Sequence, residues 1–194
     1  MLLTNTYWVL RHAESDNNVL GVSNTHDYNM YRLTKKGVEQ TKSAYEFLKD
    51  KKIELIFVSP FLRTIETAYI LSTLVGDGKV YVDERLIELK ESHDDGTPIT
   101  GMTSRSESIL TDAWWTTRTG EETFRDLYAR IRAFLMYVET TYSGKTVLVV
   151  THGSPQNMLE AIAHTETEEE VRQFLYKRYT SDRPFRGNAE PIRV

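Results

Sequence analysis

The sequence predicts an α/β fold: a three-layer sandwich with a mostly parallel central sheet flanked by helices. Three observations predict it. Short apolar runs recur at residues 7–10 (YWVL), 55–58 (LIFV), 80–82 (VYV) and 146–150 (TVLVV). Each is apolar at consecutive positions, as strands buried on both faces are. Stretches with helical spacing of apolar residues separate them, which is the pattern of crossover connections between parallel strands.

The elements follow in chain order. Residues 34–50 read as a helix with Val38, Thr41, Tyr45 and Leu48 on one face and Gly37 a tolerated flaw. After the second strand, Ser59-Pro60 reads as an N-cap and a proline in the first turn. The helix it opens carries Phe61, Leu62, Ile65, Ala68, Tyr69 and Ser72 on one side and ends near Gly76. Residues 119–122 (TGEE) match a capping box, opening a long helix with Phe124, Leu127, Ile131, Phe134, Leu135 and Val138 inward. Ser154-Pro155 repeats the cap-and-proline start after the fourth strand. Thr167-Glu168-Glu169-Glu170 opens a further helix with Val171, Phe174 and Leu175 facing the core, and residues 189–194 read as a final edge strand that tolerates Pro191.

Composition narrows the function. The 194 residues fit one domain, 1–194, with an insertion, and a 40% hydrophobic content suits a globular protein. A net charge of −4 argues against a general nucleic-acid binder while leaving room for a local anion site. The absence of cysteine removes disulfides, thiol nucleophiles and thiolate metal sites together. Residues 1–6 lack the pattern of a secretory leader, and no run approaches the ~20 apolar residues of a membrane span. A cytoplasmic protein without membrane or nucleic-acid partners is expected.

In open α/β sheets, ligands bind at the carboxyl ends of the strands. The first strand ends in Arg11-His12, the second in Ser59 with Arg63 close behind, and the fourth in Thr151-His152-Gly153. Two arginines and two histidines thus meet at one sheet edge, where two helix N-termini also point. Taken singly, Arg11 and Arg63 fit surface ion pairs and the histidines fit incidental positions. Together they ask for an anion, and guanidinium geometry suits a phosphoryl group. His26, His93 and His164 are scattered without ligand spacing, so no metal or other cofactor is expected.

The ordered set "LRHAES", "LTKKGVEQ", "VSPFLRTIETA", "DERLIEL", "GEETFRDLYARI" and "VTHGSP" resembles the histidine phosphatase superfamily, also called phosphoglycerate mutase-like, from Arg11 to about His164. The resemblance implies that His12 is the nucleophile, forming a phosphohistidine, and that Arg11, Arg63 and His152 bind the phosphoryl oxygens. Glu88, in "DERLIEL", falls on the family's proton donor, with Glu91 and Asp94 as nearby alternatives. Asn18 stands where the family has an asparagine near the substrate phosphate. Asn24 stands roughly where it has a glutamine, and equally suits a turn. Val22 and Thr25 depart from the family's usual arginine and glycine, which leaves the substrate open, while Ala13 replaces the commoner glycine as in relatives with the "RHAE" form.

Relatives carry a lid where this chain has an insertion at about 89–119, polar and irregular until Ile109. Arg105 and Arg118 are either contacts for a second anionic group or simply exposed. Of Trp114 and Trp115, adjacent on a helix, at least one is expected to pack against the sheet. The superfamily's mutases are generally longer, and this lid is poor in basic residues. The expectation is a metal-independent phosphomonoesterase acting on a small phosphate ester. The alternatives are mutase-type transfer, a phosphoprotein phosphatase and a non-catalytic phosphate-binding module.

Overall fold

The computed structural model describes residues 3–75, 79–92, 94–99, 108–117 and 120–194. His93, Arg105 and Arg118, Gly76 at the expected helix end, and much of the expected lid lie outside them.

Five strands form one sheet: β1 (Thr6–Arg11), β2 (Leu55–Val58), β3 (Lys79–Val82), β4 (Thr146–Thr151) and β5 (Ile192–Arg193). Their order is β3-β2-β4-β1-β5. The first four are mutually parallel, and β5 pairs antiparallel with β1. The final strand is thus shorter than residues 189–194. Register places Arg11 beside Thr151 and Val58 beside Val150, so β1, β4 and β2 end side by side. This is how residues far apart in the chain come to share one sheet edge.

The helices are α1 (Asp16–Leu20), α2 (Lys35–Leu48), α3 (Leu62–Val75), α4 (Asp112–Trp115), α5 (Phe124–Thr141), α6 (Gly153–His164) and α7 (Glu168–Tyr179). Strand side chains alternate between faces. Tyr7, Val9, Phe57, Val147 and Val149 pack against residues of α5, α6 and α7 on one side. Leu10, Ile56, Val58, Leu148 and Val150 pack against residues of α2 and α3 on the other. Each fully buried large apolar side chain contributes about 1.5–3 kcal/mol. Trp114 is fully buried within the first cluster and donates its indole N–H to Glu168 at 2.8 Å, whereas Trp115 is 52% exposed.

Several local expectations are corrected. The capping box of α5 is Thr123 with Asp126, not residues 119–122. Glu122 instead pairs with Arg130 at 2.6 Å. Ser59 does not cap α3, which starts at Leu62; Phe61 O accepts the first helical bond, from Ile65 N–H at 2.9 Å. The buried side of α3 is Thr64, Thr67, Ala68 and Leu71, and Tyr69 is 68% exposed. The α6 cap is His152, which puts Ser154 and Pro155 in the first turn, where a missing N–H costs little. Gly37 is a requirement: a Cβ there would stand 2.0 Å from the Glu14 carbonyl oxygen.

Candidate active site

The His12 backbone N–H still follows the sheet, donating to Thr151 O at 2.8 Å. Its ring is nearly fully buried, with Nδ1 2.8 Å from Ala13 O. A carbonyl only accepts, so Nδ1 carries the proton and Nε2 keeps its lone pair. Arg63 Nε donates to that Nε2 at 3.2 Å. Burial, reinforced by the positive charge of Arg63 and Arg11, holds this imidazole well below the usual histidine range. His12 is therefore neutral at pH 7.

His152 lies edge-on to His12, with ring centroids 5.3 Å apart. Arg63 donates from its second terminal nitrogen to His152 Nδ1 at 3.2 Å, so the His152 proton sits on Nε2, 2.8 Å from Ser59 Oγ. Burial first, then Arg63, His12 and Arg11, lower its pKa well below the ordinary value. The buried cluster thus holds two cations and two neutral rings. Burial lowers Arg63 to about 10, leaving it charged at neutral pH. Arg63 is further fixed by Asn24, whose Oδ1 and backbone carbonyl both accept from it.

Arg11 is lowered by burial, an effect that Glu88 opposes. Its Nε is buried with no hydrogen-bond partner among the described residues. Glu88 stands at the N-terminus of α6, accepting from Gly153 N–H at 3.0 Å, Ser154 N–H at 3.2 Å and Leu89 N–H at 2.8 Å. Here the expectation that helix N-termini aim free N–H groups at the site is corrected. Glu88 takes those of α6, and Leu62 N–H at the start of α3 donates to Tyr28 O at 2.7 Å. The cluster carries its own counter-charge in Glu88.

Arg11, His12, Asn18, Asn24, Arg63 and Glu88 all line one cavity of about 260 Å³. His152 sits behind it, reached through Arg63 and Ser59. Asn18, in the first turn of α1, accepts from the N–H of the cap residue Ser15 at 3.3 Å and from Asn188 Nδ2 at 3.1 Å. Asn24 also donates to Asp95 at 2.9 Å, which anchors the residue that holds Arg63. Of the alternative proton donors, Glu91 lines the cavity and accepts from Ser23 Oγ at 3.0 Å, while Asp94 is exposed. Among the described residues, no three histidine, aspartate or glutamate side chains gather as a metal site.

Residues 7–182 match the histidine phosphatase superfamily, branch 1. The chain belongs to that superfamily. It is 29% identical over 153 residues to putative phosphoserine phosphatase 2 of Hydrogenobacter thermophilus, covering 75% of this chain and 72% of that one. It is 42% identical over 82 residues to a 2,3-bisphosphoglycerate-dependent phosphoglycerate mutase of Thermoplasma acidophilum. That match covers 42% of this chain and only 40% of the mutase. The same fold is seen in Bacillus stearothermophilus YhfR (TM-score 0.77, 22% identity, 98% of this chain and 90% of that one). It recurs in a mycobacterial glucosyl-3-phosphoglycerate phosphatase (TM-score 0.73, 24% identity, 97% and 90%).

The histidine phosphatase pocket contains residues that sequence reasoning missed. Phe185 lines it from the C-terminal segment, and Asn188 donates to His12 O at 2.9 Å. Asp95 gathers the N–H groups of Thr25, His26 and Asp27, fastening the loop that carries Asn24. The "SPQN" stretch after His152 gave no hint of Phe185, yet Gly153 allows that ring in: a Cβ at 153 would stand 2.7 Å from Phe185 Cδ1.

Proposed function

We propose that this histidine phosphatase is a phosphomonoesterase that hydrolyses a small phosphorylated metabolite through a phosphohistidine on His12. The reading rests on one observation above all: Ala13 O holds the Nδ1 proton, so a neutral Nε2 lone pair lies beside two buried guanidinium groups. A phosphate ester entering the cavity exchanges its oxygens for the Arg63–His12 hydrogen bond and satisfies the partnerless Arg11 Nε. Nε2 then attacks phosphorus as the ester P–O bond breaks, and the Glu88 carboxylate relays the proton carried in by the phosphate monoanion to the leaving oxygen. Arg11 and Arg63 steady the equatorial charge, and His152 contributes by holding the Arg63 guanidinium from behind. In the second half, Glu88 takes a proton from water, which attacks phosphohistidine and releases phosphate.

Asn18 and Asn24 serve binding in this scheme, Asn24 by holding Arg63. The scheme takes residues 89–119 as the lid of a single domain, and a cytoplasmic setting with no nucleic-acid or membrane partner. The only membrane observation is that no described helix is long and apolar enough to cross one. The partial match to a phosphoglycerate mutase favours a second reading, transfer to an acceptor in place of water. The test is phosphate release from phenyl phosphate in the presence of a chelator, by wild type and His12→Ala. Activity lost in the variant, together with an acid-labile phosphoenzyme in the wild type, supports the proposal. An inert wild type or equal rates in both proteins rejects it.

A further inference from the structure

We infer that the cavity selects phosphate monoesters whose leaving group is uncharged and largely apolar, through a subsite built by Phe185, Val22, Leu89 and Ile99. The inference rests on the phosphatase reading above and narrows its substrate class. The four apolar side chains line the same cavity of about 260 Å³ as His12 and Arg11. That volume lies just below the range of pockets for drug-sized ligands, about 300–1,000 Å³, so the organic group is small. Charge on the wall points the same way. Among the described residues the only cations lining it are Arg11 and Arg63, the pair that faces the phosphoryl group, while Glu88 and Glu91 line it as carboxylates. Among the described residues a second anionic group on the substrate would find no further cation to replace its lost water, which is costly.

Phe185 is held in place from three sides. Its ring sits edge-on to Tyr179, with centroids 5.5 Å apart, and the Arg11 guanidinium lies 5.8 Å from it. The neighbouring Pro184 carbonyl accepts from Asn157 Nδ2 at 2.9 Å, and Arg186 donates to the buried Glu160 at 2.6 Å. Asn188 closes the segment onto His12 O at 2.9 Å. A ring fixed before the substrate arrives costs little to order and presents a rigid apolar face.

The experiment compares kcat/KM for benzyl phosphate, glycerol 1-phosphate and 3-phosphoglycerate in wild type, Phe185→Ala and Ile99→Lys. All three substrates expel an alkoxide oxygen, so leaving-group chemistry does not rank them. Wild type is expected to prefer benzyl phosphate to 3-phosphoglycerate by at least about tenfold, the discrimination of a small apolar contact. Phe185→Ala should cut the benzyl-to-glycerol ratio about tenfold. Ile99→Lys, at a position already 44% exposed, should raise the 3-phosphoglycerate-to-benzyl ratio several-fold by supplying the missing cation. Equal turnover of benzyl phosphate and 3-phosphoglycerate, or ratios unmoved by both variants, overturns the inference and leaves the phosphatase reading standing. If wild type hydrolyses none of the three yet releases phosphate from phenyl phosphate, the inference alone fails; if it is inert on phenyl phosphate as well, the phosphatase reading fails with it.

Discussion

Replacing Gly37 with alanine sets two physical effects against each other. Helix propensity alone predicts a gain of about 1 kcal/mol, since glycine is the poorer helix former. The structure predicts the opposite sign. The added Cβ would lie 2.0 Å from Glu14 O, where real Cβ contacts stay above 3.0 Å, so helix and loop must separate by roughly 1 Å. The obstacle is backbone, which cannot swing aside as a side chain would. Overpacking of this kind costs about 1–3 kcal/mol, and contact with a backbone oxygen belongs at the upper end. Glu14 O also accepts from Thr34 N–H at 3.0 Å, and Gly37 N–H donates to the Thr34 hydroxyl at 3.0 Å. Straining that cap adds about 1 kcal/mol. Subtracting the propensity gain leaves a net loss of about 3 kcal/mol. For a chain of this length that lowers Tm by about 6–12 °C. Thermal unfolding followed by circular dichroism measures it. A Tm equal to or above the wild-type value refutes the reasoning, because propensity would then have outweighed the clash. The effect also reaches the site, since Glu14 directly follows the carbonyl that orients His12.

Three further outcomes are expected. His12 and His152 are held neutral in the fold, whereas in the unfolded chain they take up protons near pH 6.5. Stability is therefore full above that pH and falls by about 2.7 kcal/mol per pH unit below about 6 for the pair, until the folded-state values are reached. Urea midpoints at pH 7.5, 6 and 5 test this, and a midpoint that rises toward pH 5 counts against it. Asn24→Ala removes the side-chain acceptor that fixes Arg63, and should lower kcat/KM by about 10- to 100-fold through misplacement; an unchanged value would show that Arg63 is positioned without it. Glu139→Ala strips the acceptor from the buried Tyr7 hydroxyl at 2.6 Å and from Asn5 Nδ2 at 2.8 Å. It should cost about 1–3 kcal/mol in denaturant unfolding, and no loss would mean water replaces the carboxylate.

Periodicity was most informative where burial alone decides the pattern. In α5 every residue expected inward is buried, because one amphipathic face meets one sheet. In α3 the same rule misplaced the face. Its buried side carries Arg63, Thr64 and Thr67, which hydrophobic counting passes over, and leaves Tyr69 outside. Thr67 is inside because its hydroxyl accepts from Ala13 N–H at 3.1 Å, a tie to the His12 loop. Ser59 misled for a similar reason. Its hydroxyl looks like a helix cap in a local window, but it is committed to His152, 93 residues away.

What the amino-acid order determined by itself was the alternation of buried strands and amphipathic helices, and with it the convergence of Arg11, His12, Arg63 and His152 on one sheet edge. Those properties follow from short-range spacing and from the chirality of parallel connections. Only the tertiary structure decided the rest. It set the His12 tautomer, brought Glu88 onto the α6 N-terminus, made Gly37 indispensable, drew Phe185 over the pocket and tied Asn188 to the His12 carbonyl. Apart from the tautomer, which the neighbouring Ala13 carbonyl fixes, each depends on a contact between segments distant in the chain, up to 176 residues for Asn188 and His12. Such contacts arise from packing complementarity in three dimensions, which no local pattern of residue types encodes.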